Sequence, residues 1–411
     1  MGHATPWNRS RSKPSLNALP PLSLPPLSLY VHVPWCIRKC PYCDFNSHAL
    51  QGGRVLPAEG VYLEALGRDL EQEYPSVQGR TITTIFIGGG TPSLLSPEGV
   101  HRLLNDLRTR LPIADHAEVT LEANPGTVDQ VRFTGFKAAG INRLSLGIQS
   151  FDDDCLARLG RIHTSDEAIA AFAMAREAGY DNINLDLMFG LPGQDRHRAE
   201  RDLTTALALA PEHLSYYQLT IEPGTAFYRN LPTLPDEETC WIMQEEGQAL
   251  LAAAGYVHYE ISAYAQLGRR CLHNVHYWEF GDYLGIGAGA HGKVTSKQGI
   301  RRRVKHPDPH QYLTLIGSQP VASDDWIAAA DLPAEFMINA LRLVEGVPVW
   351  LYPQRTGLPL ATISDKLTMA RARGWLEPVE DRLVATPQGR QFLNEVLELF
   401  LPDSACSVAA L

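Results

Sequence analysis

The 411-residue sequence contains no run of about 20 uncharged apolar residues, the length a helix needs to cross a bilayer, so no transmembrane segment is expected. Nor does it contain a paired cysteine framework. Its seven cysteines are an odd number, and only Cys36, Cys40 and Cys43 lie close together, with Cys155, Cys240, Cys271 and Cys406 scattered. A secreted disulfide scaffold is excluded, and a reducing, cytoplasmic setting with thiols kept for chemistry is expected. Positive charge is short as well: 36 Lys and Arg face 46 Asp and Glu, a net charge of −10. A polyanion could then bind only through a local patch, and no nucleic-acid partner is expected. Apolar residues, by contrast, are plentiful. At 45% hydrophobic against 20% charged, the chain is no disordered polymer, and its length allows two or three domains with cores of their own.

Acidic residues are missing from the first 28 positions, which hold six prolines, five serines, Arg9, Arg11 and Lys13. Pro20, Pro21, Pro25 and Pro26 interrupt the apolar core a secretory signal requires. The composition partly fits a mitochondrial transit peptide, but the same prolines spoil its amphipathic helix. Residues 1–28 are therefore expected as a disordered extension.

From Leu29 onward, short apolar runs alternate with amphipathic stretches. The predicted strands are Leu29–Val33, Thr83–Ile87, Glu118–Glu122, Arg143–Gly147, Asn182–Met188 and His213–Leu219. Helix starts are marked by Ser96 before Pro97 and by the capping-box spacings Thr127/Gln130 and Thr164/Glu167; Gly140 and Gly179 read as stops. Six strand–helix units in a row predict a parallel sheet with helices outside it, joined by right-handed crossovers. Six fall short of an eight-stranded barrel. The expected class is α/β, a partial (β/α)6 TIM-like barrel with its working residues on the loops after the strands.

After Leu219 a helix from about Pro235 to Gly255, a strand within Tyr256–Tyr264, a glycine-rich stretch Gly281–Gly292 and a basic run Arg301–Lys305 follow. Residues 295–330, with Pro307, Pro309 and Pro320, read as an irregular linker between a barrel domain at 29–294 and a C-terminal domain at 331–411. The latter reads as helices over Asp331–Leu343 and Ala361–Arg373, a two-strand segment around Trp375–Ala385 and a final helix, a small winged-helix-like unit. Its seven Lys and Arg against ten Asp and Glu favour a packing or lid role over DNA binding.

The strongest local signal is Cys36-Ile-Arg-Lys-Cys40-Pro-Tyr-Cys43, directly after the first strand. Three thiolates at this spacing can hold a 4Fe–4S cluster and leave one iron without a protein ligand. Zinc is the alternative, with His32 or His48 as a fourth ligand. The chain here resembles the radical S-adenosylmethionine (SAM) superfamily. That resemblance implies a partial (β/α)6 barrel, with SAM chelated at the open iron and cleaved by one electron to a 5′-deoxyadenosyl radical. Later loops suit such a pocket: Gly88-Gly89-Gly90-Thr91-Pro92 after the second strand, Glu122 before Asn124-Pro125, and Gln149 after the fourth strand. Asp186, inside an apolar strand, needs a cation or polar ligand, or else a buried salt bridge.

Longer stretches, among them Leu29–Pro34, Ser145–Phe151, Leu159–His163 and Asp186–Gln194, resemble the oxygen-independent coproporphyrinogen III oxidase group over residues 29 to about 400. The resemblance implies cluster ligation by Cys36, Cys40 and Cys43, and SAM contacts from Tyr30, Gly89, Gly90, Thr91, Glu122, Gln149, Arg161 and Asp186. The oxidases of that group carry a further cysteine two residues after the third ligand, where this chain has Phe45, and a longer amino-terminal segment. His273-Asn274-Val275-His276-Tyr277-Trp278 instead resembles the H-N-x-x-Y-W signature of the haem-chaperone branch. His273, His276 and Tyr277 are then candidate axial ligands of haem iron and Trp278 a packing surface, unless the segment is a structural turn. Arg301–Arg303 could meet haem propionates or form a solvated basic turn. Two functions follow: a haem chaperone that passes haem to an acceptor protein, or a coproporphyrinogen oxidase, with an electron donor needed if radical chemistry occurs. A radical RNA-modifying enzyme is a distant third, because no basic RNA-binding module is present.

Overall fold

The computed structural model describes residues 24–50 and 59–402. Most of the expected extension therefore lies outside the described residues. The first strand already includes Leu27 and Ser28, two residues earlier than the apolar pattern suggested.

Six parallel strands follow in chain order: β1 (Leu27–Val33), β2 (Ile82–Gly89), β3 (Ile113–Ala123), β4 (Arg143–Gln149), β5 (Ile183–Phe189) and β6 (His213–Gln218). Helices cover them: α1 (Glu59–Glu73), α2 (Pro97–Arg110), α3 (Gln130–Ala139), α4 (Ser165–Glu177) and α5 (Arg196–Leu209). β1 and β5 are buried on both faces, as strands covered by helices on one side and packed inward on the other must be. Ser96 caps α2 by accepting from the Gly99 N–H, and Thr164 and Glu167 form both bonds of a capping box on α4. The Thr127/Gln130 box does not form. Thr127 closes a short turn, and the Asp129 side chain caps α3 instead.

The strand order extends beyond six. α6 (Glu237–Ala253) leads to a short antiparallel pair, β7 (Val257–Glu260) and β8 (Ala263–Ala265), with β8 antiparallel to β6. α7 (Leu272–Trp278) then precedes β9 (Asp282–Ile286), which runs parallel to β1 on its outer side. The glycine-rich stretch thus holds a seventh parallel strand. Residues 295–330 are likewise not an irregular linker: β10 (His291–Ser296), β11 (Gly299–Lys305) and β12 (Val321–Trp326) form an antiparallel ribbon. Its prolines sit where they cost no ladder bond, Pro309 at the first turn of a short helix and Pro307 and Pro320 in connections. The single sheet reads β12-β11-β10-β9-β1-β2-β3-β4-β5-β6-β8-β7.

A second core gathers Phe336, Met337 and Ala340 of α8 (Leu332–Ala340) with Tyr352, Leu367, Val396 and Phe400, and seats them on Tyr259, Ala263, Ala265 and Phe280. The expected hairpin at Trp375–Ala385 reduces to one bridge, Leu376 to Ala385; Arg382–Leu383 pairs with Val347–Pro348 instead. Ile261 N–H donates to the Arg342 carbonyl and Val344 N–H to that of Tyr259, both at 3.0 Å, so the segment after α8 lies along β7.

Candidate functional site

Parallel strands bring their following loops to one end of the sheet, and the cysteine loop is the first of them. It closes on itself: Trp35–Cys36 pairs with His48–Ala49, and Leu50 N–H donates to the Cys36 carbonyl at 2.8 Å. Asn46 Nδ2 anchors it by donating to the carbonyls of Ala288 at 3.0 Å and Pro307 at 2.9 Å. His32 Nε2–H donates to the Asn46 carbonyl at 2.8 Å, which leaves Nδ1 to accept from the Tyr30 hydroxyl at 3.0 Å. Tyr30 therefore stands behind the cysteine loop and holds it through His32.

Cys36, Cys40 and Cys43 are free, half-buried thiols on one cavity of about 530 Å³. Thr91 Oγ1 donates to Cys36 Sγ at 3.2 Å, and Arg161 Nη1 lies 3.8 Å from Cys40 Sγ. Burial pushes the Cys36 and Cys43 thiols up, against the Thr91 bond at Cys36 and the Phe45 backbone at Cys43, so iron binding displaces protons. Among the described residues, no three His, Cys, Asp or Glu side chains converge where one metal ion could sit. His32 and His48 do not complete a zinc site, because the rings are held by Tyr30, Asn46 and Pro307.

The glycine run after β2 serves packing. A Cβ on Gly90 would sit 2.6 Å from the Trp35 carbonyl oxygen, and one on Gly89, at φ +114°, 2.7 Å from the His32 ring. These close approaches press Thr91 against Cys36. Gly89 N–H donates to Glu122 Oε2 at 3.1 Å.

Deeper in the cavity lie two carboxyl groups. Burial, then the nearby Asp186, raises Glu122 to about 8. Burial also raises Asp186, which accepts from Ser145 Oγ at 3.1 Å and Asn184 Nδ2 at 2.8 Å. Gln149 adopts φ 73°, rare for a residue with a Cβ, and its Oε1 accepts from Tyr217 at 3.0 Å. Arg161 Nη2 donates to the Gly147 carbonyl at 2.6 Å, while its buried Nε has no partner among the described residues. Buried carboxyl groups with an unpaired guanidinium N–H suit a ligand bearing both cationic and carboxylate groups, as SAM does.

The H-N-x-x-Y-W segment forms α7, and helical geometry splits it. Asn274 and Trp278 line the cavity; His273, His276 and Tyr277 do not. The His273 ring bonds Thr84 Oγ1 at 2.8 Å and the Tyr277 hydroxyl at 2.9 Å, and His276 Nε2–H donates to the Asp282 carbonyl at 2.6 Å. Burial keeps both imidazoles neutral, with His276 lowered to about 4. Arg301, Arg302 and Arg303 are paired with Asp324, Glu335 and Glu73, and none of the three lines the cavity.

Residues 30–206 match the radical SAM superfamily and residues 327–392 the HemN C-terminal domain. Haem chaperone HemW of Escherichia coli is 49% identical over 93% of this chain and 100% of that protein; HemW of Haemophilus influenzae is 47% identical over 92% and 99%, and that of Bacillus subtilis 36% over 92% and 99%. The chain belongs to the HemW family. As a radical SAM family, HemW proteins carry a 4Fe–4S cluster and SAM. The solved coproporphyrinogen III oxidase HemN of Escherichia coli shares the fold, with TM-score 0.79 over 94% of this chain and 92% of that one at 23% identity. In this HemW-family chain the cavity also takes Asn274 of the H-N-x-x-Y-W segment, and Tyr42, Tyr217, Glu260 and Arg342, to which the sequence assigned no ligand contact. Helical periodicity could have separated Asn274 and Trp278 from the histidine face. Nothing local marked Arg342.

Proposed function

We propose that this chain is a haem chaperone, receiving haem and passing it to an acceptor protein in the cytoplasm. Cys36, Cys40 and Cys43 would hold the cluster. Gly89, Gly90, Thr91, Glu122, Gln149, Arg161 and Asp186 would form the SAM pocket, with Tyr30 supporting the cysteine loop from behind. The observation that carries the reading is the match, at 49% identity over 93% of this chain, to a protein named haem chaperone HemW. Phe45, at the position where the oxidases carry a further cysteine, supports it.

When bound, a cluster with three protein thiolates supplies one iron with an open position and a single electron. The chain's own groups then do the binding work. Thr91 directs a donor at the Cys36 sulfur and favours its thiolate form, and Arg161 directs one at the Cys40 sulfur. Glu122 and Asp186 would balance the positive charge of bound SAM, and Arg161 Nε would be free to meet its carboxylate. Haem is cargo. Ligation of its iron by His273, His276 or Tyr277 requires α7 to turn its buried face outward and break the Thr84–His273 and His276–Asp282 bonds.

One cluster-loaded preparation tests the reading against oxidative decarboxylation of coproporphyrinogen III. Haem titration is expected to give a shifted Soret band, and anaerobic incubation with coproporphyrinogen, SAM and reductant no decarboxylated product. Product formation without any response to haem would establish the oxidase instead.

A further inference from the structure

The cavity has a second end, away from the cysteines, where β7, β8, α7 and the C-terminal domain meet. Glu260, Ser262, Asn274, Trp278 and Arg342 line it. The Arg342 guanidinium lies 4.3 Å from the centroid of the Trp278 ring, and its Nη2 is 3.1 Å from Glu260 Oε2. Arg342 Nε and Trp278 Nε1 are buried donors without an acceptor among the described residues. Each of these N–H groups can donate to a carboxylate oxygen, and the indole adds apolar surface to the same end of the cavity. Neither N–H is open to water in this conformation, so an incoming carboxylate must draw the guanidinium away from Glu260.

We propose that this end of the cavity holds a carboxylate side arm of a tetrapyrrole, with Arg342 and Trp278 Nε1 as its donors and the Trp278 ring against the macrocycle. The assignment rests on the haem-chaperone reading and adds the C-terminal domain to the cargo site. It makes Arg342 a residue that selects for the acid form of the ligand.

The test is equilibrium binding of haem and of haem dimethyl ester to the full, cluster-loaded chain. The unmodified protein is expected to prefer haem by roughly tenfold, the size of one lost charge-assisted contact. Arg342→Leu should lose that preference while keeping its cluster absorbance. Trp278→Phe, which keeps a ring but removes the N–H, should weaken haem several-fold and the ester less. Glu260→Gln should bind haem more tightly, because the competing carboxylate is gone; a merely structural ion pair would give the opposite. Haem binding with undiminished ester discrimination in Arg342→Leu and Trp278→Phe overturns this assignment and leaves the chaperone reading standing. No haem binding by the unmodified chain removes both.

Discussion

Glu118 and His273 are 155 residues apart, yet Glu118 Oε1 accepts the backbone N–H of His273 at 3.1 Å, and its Oε2 that of Leu272 at 3.1 Å. Cys271, at the capping position, makes no side-chain cap of its own. A carboxylate on the barrel strand β3 therefore caps α7 and fixes which of its faces meets the cavity.

Replacing that cap should loosen the helix. Glu118→Ala is expected to destabilise the protein by about 1–3 kcal/mol in urea unfolding, from lost cap bonds and unpaired buried N–H groups. Glu118→Gln keeps an acceptor and should cost less. Equal stability of Glu118→Ala and the parent would show that α7 is held elsewhere.

Thr91→Val removes the hydroxyl on Cys36 without changing the side chain's shape. The cluster should still assemble, as judged by visible absorbance, but lose iron to a chelator roughly tenfold faster, in line with outer-shell substitutions at metal sites. Cys40→Ala, which removes a ligand, should show no cluster absorbance at all. Identical chelation rates for Thr91→Val and the parent would dismiss the contact as incidental.

Gly90→Ala places a methyl group 2.6 Å from the Trp35 carbonyl oxygen, a backbone atom that cannot step aside. A loss of about 1–3 kcal/mol and poor cluster loading are expected. Gly317→Ala, whose added carbon meets nothing within 4 Å, is the comparison and should be close to neutral.

Glu122 carries the pH dependence. Burial and Asp186 hold it at about 8, above the ordinary carboxylate range. Between that range and about 8 the folded chain binds a proton that the unfolded chain has released, so its contribution to stability falls as pH rises through this window. A cationic ligand prefers the ionised form, so its binding expels the proton. SAM affinity, read by calorimetry, should rise up to about tenfold per pH unit below pH 8 and level off above it. Glu122→Gln should flatten the profile; a sloping profile in that variant would assign the proton to another group.

The first six strand–helix units and the cluster loop were legible because both rest on short-range pattern. Alternation of apolar runs and helices marks parallel units, and the cysteine spacing sits just after β1. The strand Asp282–Ile286 was not singled out within the glycine-rich stretch Gly281–Gly292. Gly285 is there because a Cβ would lie 1.9 Å from the His291 carbonyl oxygen of the neighbouring antiparallel strand. Arg301–Arg303 looked like a free basic run because their acidic partners, Glu73, Asp324 and Glu335, lie elsewhere in the chain.

The amino-acid order alone determined that three thiols share one loop at the carboxyl end of the first strand, since ligands spaced within eight residues need no help from the rest of the chain. Tertiary structure decided which side of α7 faces the cavity and that Arg342 reaches it from the C-terminal domain. Those outcomes depend on contacts such as Glu118 to His273 and Arg342 to Glu260, across 155 and 82 residues, and form only when distant segments pack together.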